Sequence, residues 1–410
     1  MRYGFLLLSL LALGGTATAG DAPPLFSAAA KGDEALVKRL LRSRADPNQA
    51  AEQGLTPLII SAYAGHVGVV KLLLAAGANP NLANSDKEPP LITGAANRAA
   101  DEIVPLLLAA HADPNAIDVH GCTPLTANAQ LGNARAVAAL IDAKASVNAA
   151  DGDRQTALFQ AAAHGHLAIA ESLLAHGAKL EVVNRFGARP LHAAAQGGHT
   201  EVVQLLLSKG AVAGAPLDEK GTTALGLACL MGHADTVRVL VKKVGVKAQA
   251  TKYQTPLEVA AQHGQLAAMS ALLELGADPE VGEGELTPLL WAAAAGQVQA
   301  VARLLDAKVK VDATSKGGVS ALLVAAYSGQ LEVVRLLLER GAGIQQTNPQ
   351  GGTALRAAAD QGHLEVVKLL LAKGAAPDTV DSFGKRPVDY ARENGHAGVV
   401  NLLEGAKPRR

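Results

Sequence analysis

The chain has 410 residues, with 37 basic and 37 acidic side chains and a formal net charge of zero at pH 7. This balance excludes the overall basic charge that is typical of nucleic-acid-binding proteins. Apolar residues make up 49% of the chain but aromatic residues only 3%, so the core must consist mainly of Ala, Leu and Val, which suits closely packed helices better than a large enzyme core.

The N-terminus predicts a cleavable signal peptide over residues 1–19. Arg2 is followed by an apolar run from Phe5 to Leu13 that is too short to span a bilayer, and Ala17-Thr18-Ala19 fits a small-x-small cleavage site. We expect a mature chain that begins at Gly20 and does not insert into a membrane. A short uncleaved anchor is the alternative. The predicted location is the bacterial periplasm, with secretion as the alternative.

The rest of the chain is an internal repeat with a period of about 33 residues. Its markers are Pro-Leu or Ala-Leu pairs, spaced between 32 residues (Ala224 to Pro256) and 34 residues (Pro90 to Pro124). The series begins at Pro24, Pro57, Pro90, Pro124, Ala157, Pro190, Ala224, Pro256, Pro288, Ala321 and Ala354, and Pro387-Val388 closes it. Twelve units therefore cover residues 20–410.

Each unit predicts two helices. Thr123 before Pro124 supplies an N-cap and a first helical residue with preset φ, and Gly132 ends that helix. A Leu-rich segment then has helical spacing and stops at a glycine such as Gly177. Between units, segments such as 118–121 place Asp and Gly where a tight turn needs them.

The content of one unit resembles the ankyrin repeat. The matching segments are Gly54-Leu55-Thr56-Pro57-Leu58, Gly65-His66, Val69-Val70-Lys71-Leu72-Leu73-Leu74 and Gly77-Ala78-Asn79-Pro80-Asn81. The resemblance implies an all-α repeat solenoid: twelve helix-turn-helix units, joined by β-hairpin loops, in a curved and elongated stack whose terminal repeats act as caps.

Two units depart from the pattern. Near Arg98 the glycine between the helices is missing and Pro105 lies inside the second helix, and the unit containing Val244-Gly245 lacks the usual Gly-Ala-Asp ending. These places predict bends in the stack, and the sequence leaves open whether the bends are functional.

The sequence predicts no catalytic residue, cofactor or metal. Nucleophile elbows, phosphate-binding loops and paired metal-ligand spacings are absent from it. Six histidines fill the same Gly-His slot, to which the resemblance gives a structural role: His66, His166, His199, His233, His363 and His396. Cys122 and Cys229 occupy different slots three units apart, too distant for a disulfide.

The resemblance implies a binding surface on the concave face, made of hairpin tips and of the two inner-helix positions before the helix-ending glycine. The residues predicted to bind a protein are Tyr63, His164, Arg185, Phe186, Lys220, Leu230, Met231, Tyr253, His263 and Tyr327. Leu230 and Met231 form an apolar pair where the fold does not require one. For Phe186 and Tyr253 the alternative is that the rings only stack between hairpins.

These observations predict a non-catalytic scaffold for protein–protein interaction outside the cytoplasm. It would be a monomer that stabilises or sequesters an envelope enzyme, with a protein partner of unknown identity and no nucleic acid. The alternatives are an immunity protein that neutralises a delivered toxin, or a secreted effector that binds host proteins.

Overall fold

The computed structural model describes residues 22–282 and 286–406, which form twenty-four α-helices, two in each of twelve repeats. The first helix of each repeat is called the inner helix and the second the outer helix. The inner helices are α1 (Pro24–Lys31), α3 (Pro57–Ala64), α5 (Pro90–Thr93), α7 (Pro124–Leu131), α9 (Ala157–His164), α11 (Pro190–Gly197), α13 (Ala224–Met231), α15 (Pro256–Gln262), α17 (Pro288–Ala294), α19 (Ala321–Tyr327), α21 (Ala354–Asp360) and α23 (Pro387–Glu393). The outer helices are α2 (Glu34–Arg42), α4 (Val67–Ala75), α6 (Ala100–Ala109), α8 (Ala134–Asp142), α10 (Leu167–Ala175), α12 (Thr200–Ser208), α14 (Ala234–Val244), α16 (Leu266–Glu274), α18 (Val298–Asp306), α20 (Leu331–Glu339), α22 (Leu364–Ala372) and α24 (Ala397–Gly405).

The inner helices begin and end as the sequence predicts. In α3, the Thr56 hydroxyl accepts a hydrogen bond from the Ile59 N–H at 3.2 Å, and Pro57 is the first helical residue. Gly65 ends the helix with φ +78°, a conformation that costs a residue with a side chain about 1 kcal/mol or more. The same hydroxyl cap begins α7, α9, α13, α15, α19 and α21, but not α1, α5, α17 or α23. The inner helices are seven or eight residues long in most repeats.

In several repeats, the side chain at the histidine position of the Gly-His pair donates a hydrogen bond to a backbone carbonyl of the preceding repeat. His66 donates from Nε2 to the Ala30 carbonyl at 3.1 Å, and His166 does the same to the Gln130 carbonyl at 3.1 Å. Gln265 fills the slot in another repeat and donates to the Leu230 carbonyl at 2.9 Å. The structural role predicted for this slot is therefore confirmed at His66 and His166.

The core is made of the small and aliphatic residues that the composition predicts. Inner helices bury alanines, such as Ala161 and Ala325, and outer helices bury leucines and valines, such as Leu140 and Leu304. Within each compact unit, neighbouring inner helices contact each other and their own outer helices. Alanine in the contact positions lets the helices approach closely without leaving a gap.

The chain divides into two compact units. Among the described residues, the first unit runs to Ala194 and includes Glu201–Ala211, and the second consists of Ala195–Thr200 and the chain from Val212 onward. The part of the chain that the structure describes contains no β-strand. The hairpin arms pair only through isolated bridges, such as those of Ala150 with Thr156 and Thr314 with Ser320.

The hairpin tips form a ladder of backbone hydrogen bonds. The Val119 N–H donates to the Asp86 carbonyl at 3.0 Å, and the Gly152 N–H donates to the His120 carbonyl at 2.7 Å. Each tip is also held internally, since the Asp118 carboxylate accepts from the His120 N–H at 2.8 Å. The tips that these bonds join are therefore fixed relative to each other.

The irregular third repeat replaces the Gly-His slot with an asparagine. Helix α5 is only four residues long and continues as a 3-10 turn over Gly94–Ala96. The Asn97 amide donates to the carbonyls of Ala62 at 2.6 Å and Gly94 at 3.1 Å, and its carbonyl accepts from the Ala99 N–H at 2.7 Å. Asn97 therefore makes the contact to the preceding repeat that a histidine makes elsewhere.

Candidate protein-binding surface

Tyr63 lies near the end of α3 and is partly buried. Burial, followed by the nearby charge of Glu88, raises the pKa of its hydroxyl above the usual value. Glu88 is itself buried, and its carboxylate accepts a hydrogen bond from the Asn84 amide at 2.8 Å. Burial and the charges of Asp118 and Asp86 raise the pKa of Glu88, although the Asn84 bond opposes this. Tyr63 therefore remains a neutral hydroxyl at any physiological pH.

His164 is exposed at the C-terminal end of α9 and stacks against His166. The ring centroids lie 6.1 Å apart with an angle of 10° between the planes. The Nδ1 atom of His164 lies 2.9 Å from the Gln160 carbonyl, which can only accept, so Nδ1 carries the hydrogen and Nε2 is the acceptor of the neutral ring. His164 can therefore accept a hydrogen bond from a partner.

Arg185 and Phe186 lie together on an exposed hairpin tip of the first unit. The Arg185 guanidinium carbon is 4.6 Å from the centre of the Phe186 ring, and a salt bridge of 2.8 Å to Asp153 holds the guanidinium there. Such a cation–π contact contributes about 0.5–1 kcal/mol at an exposed site. Phe186 is 61% exposed, which disfavours the alternative that the ring is buried between hairpins.

The other predicted residues belong to the second unit. Leu230 is partly buried, while Met231 beside it is 47% exposed at the end of α13. Tyr253 is 65% exposed on a hairpin tip and Tyr327 is 50% exposed at the end of α19, and Lys220 and His263 are exposed as well. The second unit thus presents a thioether and two aromatic rings, side chains that are frequent at the centre of protein interfaces.

The two cysteines are both free. Cys229 is fully buried in α13, and burial raises the pKa of its thiol, so it is an unreactive core residue. Cys122 is partly buried, with its sulfur 3.3 Å from the Thr126 hydroxyl. Within residues 22–282 and 286–406, no cluster of three or more His, Cys, Asp or Glu side chains is arranged to hold a metal ion.

The same described ranges contain no helix with the length and apolar character needed to cross a bilayer.

One feature of the second unit is not among the residues predicted from the sequence. Between Thr236 and Leu257 the chain has no acidic residue but five basic ones, Arg238, Lys242, Lys243, Lys247 and Lys252. The four lysines are exposed. Because acidic and basic residues balance over the whole chain, the net charge does not reveal this basic segment. Counting charged residues over a short window of the sequence would have revealed it.

A sequence profile described as "Ankyrin repeats (3 copies)" matches residues 25–118, 92–184, 179–252, 257–348 and 340–410. The crystal structure of the human ASB11 ankyrin repeat domain is similar at 31% sequence identity, over 54% of this chain and 99% of that chain, with a TM-score of 0.49. No curated protein sequence matches. Because the profile matches cover far more than half of its residues, the chain belongs to the ankyrin-repeat family, whose fold is a scaffold for protein–protein interaction and is typically not enzymatic.

Proposed function

We propose that this protein is a non-catalytic scaffold that binds a partner protein through its hairpin tips and the ends of its inner helices. The observation that carries the proposal is the exposure of Met231 and Tyr253, which lie at positions that the packing of the repeats does not use. Methionine and tyrosine are enriched at protein interfaces relative to the rest of the surface, which favours a surface that a partner covers.

The predicted residues differ in what they offer a partner. Met231 supplies a flexible apolar side chain, and Tyr253 and Tyr327 supply rigid aromatic area. Aromatic residues of this kind commonly account for most of the binding energy. Arg185, held over Phe186 by its salt bridge to Asp153, supplies a pre-ordered cation. Pre-ordering reduces the conformational entropy that is lost on binding.

The place of action that we propose is the periplasm, where the partner would be an envelope enzyme that the scaffold stabilises or sequesters. This rests on the signal-peptide pattern of residues 1–19, which lie outside the described residues. Two other uses of the same surface are neutralisation of a delivered toxin and binding of host proteins after secretion. A resident partner in the envelope of a pure culture supports the first use, and a partner found only in another cell supports the others.

A single charge at the C-terminal end of an inner helix is expected to weaken partner binding strongly. In Met231→Glu, a carboxylate would have to be desolvated inside the interface, and we expect the affinity for the captured partner to fall by about a hundredfold. The measurement is affinity capture from the envelope fraction with the chain from Gly20 to Arg410, followed by titration of the captured protein.

The matched control is Val380→Glu, which places the same charge on another exposed apolar residue of the second unit that does not belong to an inner helix. Its affinity should equal that of the native chain, and both variants should have the native circular-dichroism melting curve. Equal capture by the native chain and by Met231→Glu would refute the assignment of the contact to the end of α13.

Cleavage of the leader is tested separately. We expect N-terminal sequencing of the protein from osmotic-shock fluid to begin at Gly20, because Ala17 and Ala19 satisfy the small-x-small rule. A chain that still begins at Met1 and stays with the membrane fraction would contradict both the cleavage and the periplasmic location.

A further inference from the structure

A cleft of about 350 Å³ lies inside the second unit, between two successive hairpins. The seventh hairpin, whose residues 212–223 belong to the second unit, precedes α13, and the eighth, residues 245–255, precedes α15. One wall includes Ala213, Gly214 and Pro216, and the other includes Val244 and Ala248 with Lys252 beside them. The lining is therefore mainly apolar, with one cation.

The cleft follows from two changes in repeat length. Fourteen positions separate Gly210 from Ala224, whereas 13 separate Gly177 from Pro190, so the seventh hairpin has one extra residue. The outer helix α14 then has 11 residues, compared with nine in α12 and α16, which leaves the eighth hairpin shorter. Hairpins of unequal length do not stack along their whole length, and the space between them is the cleft.

The two hairpins are nevertheless joined by backbone hydrogen bonds at two places, beside the start of α13 and at the tips. The Thr223 N–H donates to the Ala250 carbonyl at 2.9 Å, and the Lys252 N–H donates to the Lys220 carbonyl at 2.8 Å. A side chain at Gly226 of α13 would place its Cβ 2.4 Å from the Ala250 oxygen, so glycine is needed there for this close approach. The cleft is therefore bounded by ordered backbone.

The size of the cleft suits one large apolar side chain. An apolar cavity of about 150 Å³ holds a benzene molecule, so about 350 Å³ leaves room for a leucine, methionine or phenylalanine side chain together with part of its backbone. Apolar pockets that take a single anchoring side chain are a usual feature of tight protein interfaces.

The segment that forms one wall of the cleft is basic. Lys242, Lys243, Lys247 and Lys252 are exposed, and none of them has a salt bridge of 4 Å or less with another described residue. Lys220, on the seventh hairpin, directly follows the acidic residues Asp218 and Glu219. Arg238 in the same segment is paired with Asp235 at 3.0 Å and Glu274 at 2.9 Å, so its charge is already compensated. Lys252 in the lining, together with three more exposed lysines on the same segment, favours an acidic ligand.

Resting on the proposed function, we infer that this cleft anchors an acidic segment of the partner protein, with one apolar side chain of that segment in the cleft and its carboxylates on the surrounding lysines. The apolar walls favour a peptide over a nucleic acid, since a nucleic-acid backbone would use the lysines and leave the cleft empty.

The test uses the full chain and a fluorescein-labelled short peptide of alternating aspartate and glutamate around one central leucine. Two further peptides replace the leucine with glycine or every acidic residue with lysine, and a labelled single-stranded oligonucleotide reports simple attraction to the lysines. Fluorescence anisotropy gives the affinities at low and high salt.

The blocking variant is Gly214→Phe. Gly214 lines the cleft, a Cβ there meets no atom within 4 Å, and its φ is not in the left-handed region, so we expect the ring to occupy the cleft without straining the hairpin. The matched control is Gly405→Phe, where a Cβ also meets no atom within 4 Å, at the end of α24. The charge variant is Lys252→Glu, with Lys373→Glu as its control, since Lys373 is exposed in another repeat.

We expect the acidic leucine peptide to bind, and to lose at least about tenfold in affinity with glycine in place of leucine, in Gly214→Phe and in Lys252→Glu. Both control variants should bind as the native chain does, and the lysine peptide should not bind. Absence of binding, equal binding by Gly214→Phe, or an oligonucleotide that binds more tightly than the peptide would each overturn the inference. If Met231→Glu still weakens capture strongly in those cases, the proposed function stands and only the cleft assignment fails.

Discussion

Replacing Gly132 with alanine is expected to lower the free energy of unfolding by about 2–3 kcal/mol. Gly132 ends α7 with φ +83°, which a residue with a side chain adopts only with strain. The new Cβ would also lie 2.7 Å from Cε1 of His166, whose Nε2 is bonded to the Gln130 carbonyl at 3.1 Å. The methyl group would therefore displace the ring and break the bond between the fourth and fifth repeats.

The control for this substitution is Gly405→Ala in the last helix. Gly405 has no neighbour within 4 Å of the added Cβ and no left-handed φ, so alanine should be neutral or slightly stabilising there. Hydrogen exchange should show the loss of protection for Gly132→Ala in α7 to α10 first, because repeat proteins unfold in local units. An equal effect of the two substitutions would show that neither the strain nor the histidine contact matters.

Replacing Asn97 with alanine is expected to cost about 2–4 kcal/mol, because several polar groups lose their partner at once. The Asn97 side-chain amide donates hydrogen bonds to the Ala62 and Gly94 carbonyls, and its side-chain carbonyl accepts one from the Ala99 N–H. With alanine, the Ala62 carbonyl keeps only its bond from the Gly65 N–H, and the Gly94 carbonyl and the Ala99 N–H lose their bonds to Asn97 in the repeat whose inner helix, α5, is shortest. Urea denaturation followed by circular dichroism gives the change in stability.

Asn115→Ala is the matched control. Asn115 also bonds to the next repeat, accepting from the Ser146 N–H at 2.8 Å, but it is exposed, so water replaces the lost bond. Its cost should stay below about 1 kcal/mol. If the two asparagines cost the same, the irregular third repeat does not depend on Asn97.

The regular parts of the fold could be predicted because each depends on local chemistry. Thr before Pro starts an inner helix and a glycine ends it, and these signals need no knowledge of distant residues. The structure and the profile matches confirm the ankyrin repeats, the helix pairs and the structural use of His66 and His166. The ten residues predicted to bind a protein stay a prediction.

The features that escaped prediction depend on contacts between repeats. Nothing in the sequence near Asn97 shows that its amide reaches the Ala62 carbonyl of the preceding repeat. The cleft arises because the seventh hairpin is one residue longer than usual and the eighth hairpin is shorter. The space between them becomes visible only in the folded structure, where the two hairpins lie side by side. The unusual ending of the repeat at Val244-Gly245 indicated that this repeat is irregular, but it did not predict the cleft.

The side-chain hydrogen bonds between repeats affect which insertions and deletions this protein can tolerate. Each bond reaches only the adjacent repeat, as from His66 to Ala30 or from Asn97 to Ala62, 36 and 35 positions away. Duplication or loss of one whole repeat therefore recreates the same bonds at the new junction, whereas an insertion of a few residues inside a repeat disturbs its stacking on both neighbours. Recombination in steps of one repeat can therefore lengthen or shorten this protein while keeping bonds of this kind between adjacent repeats.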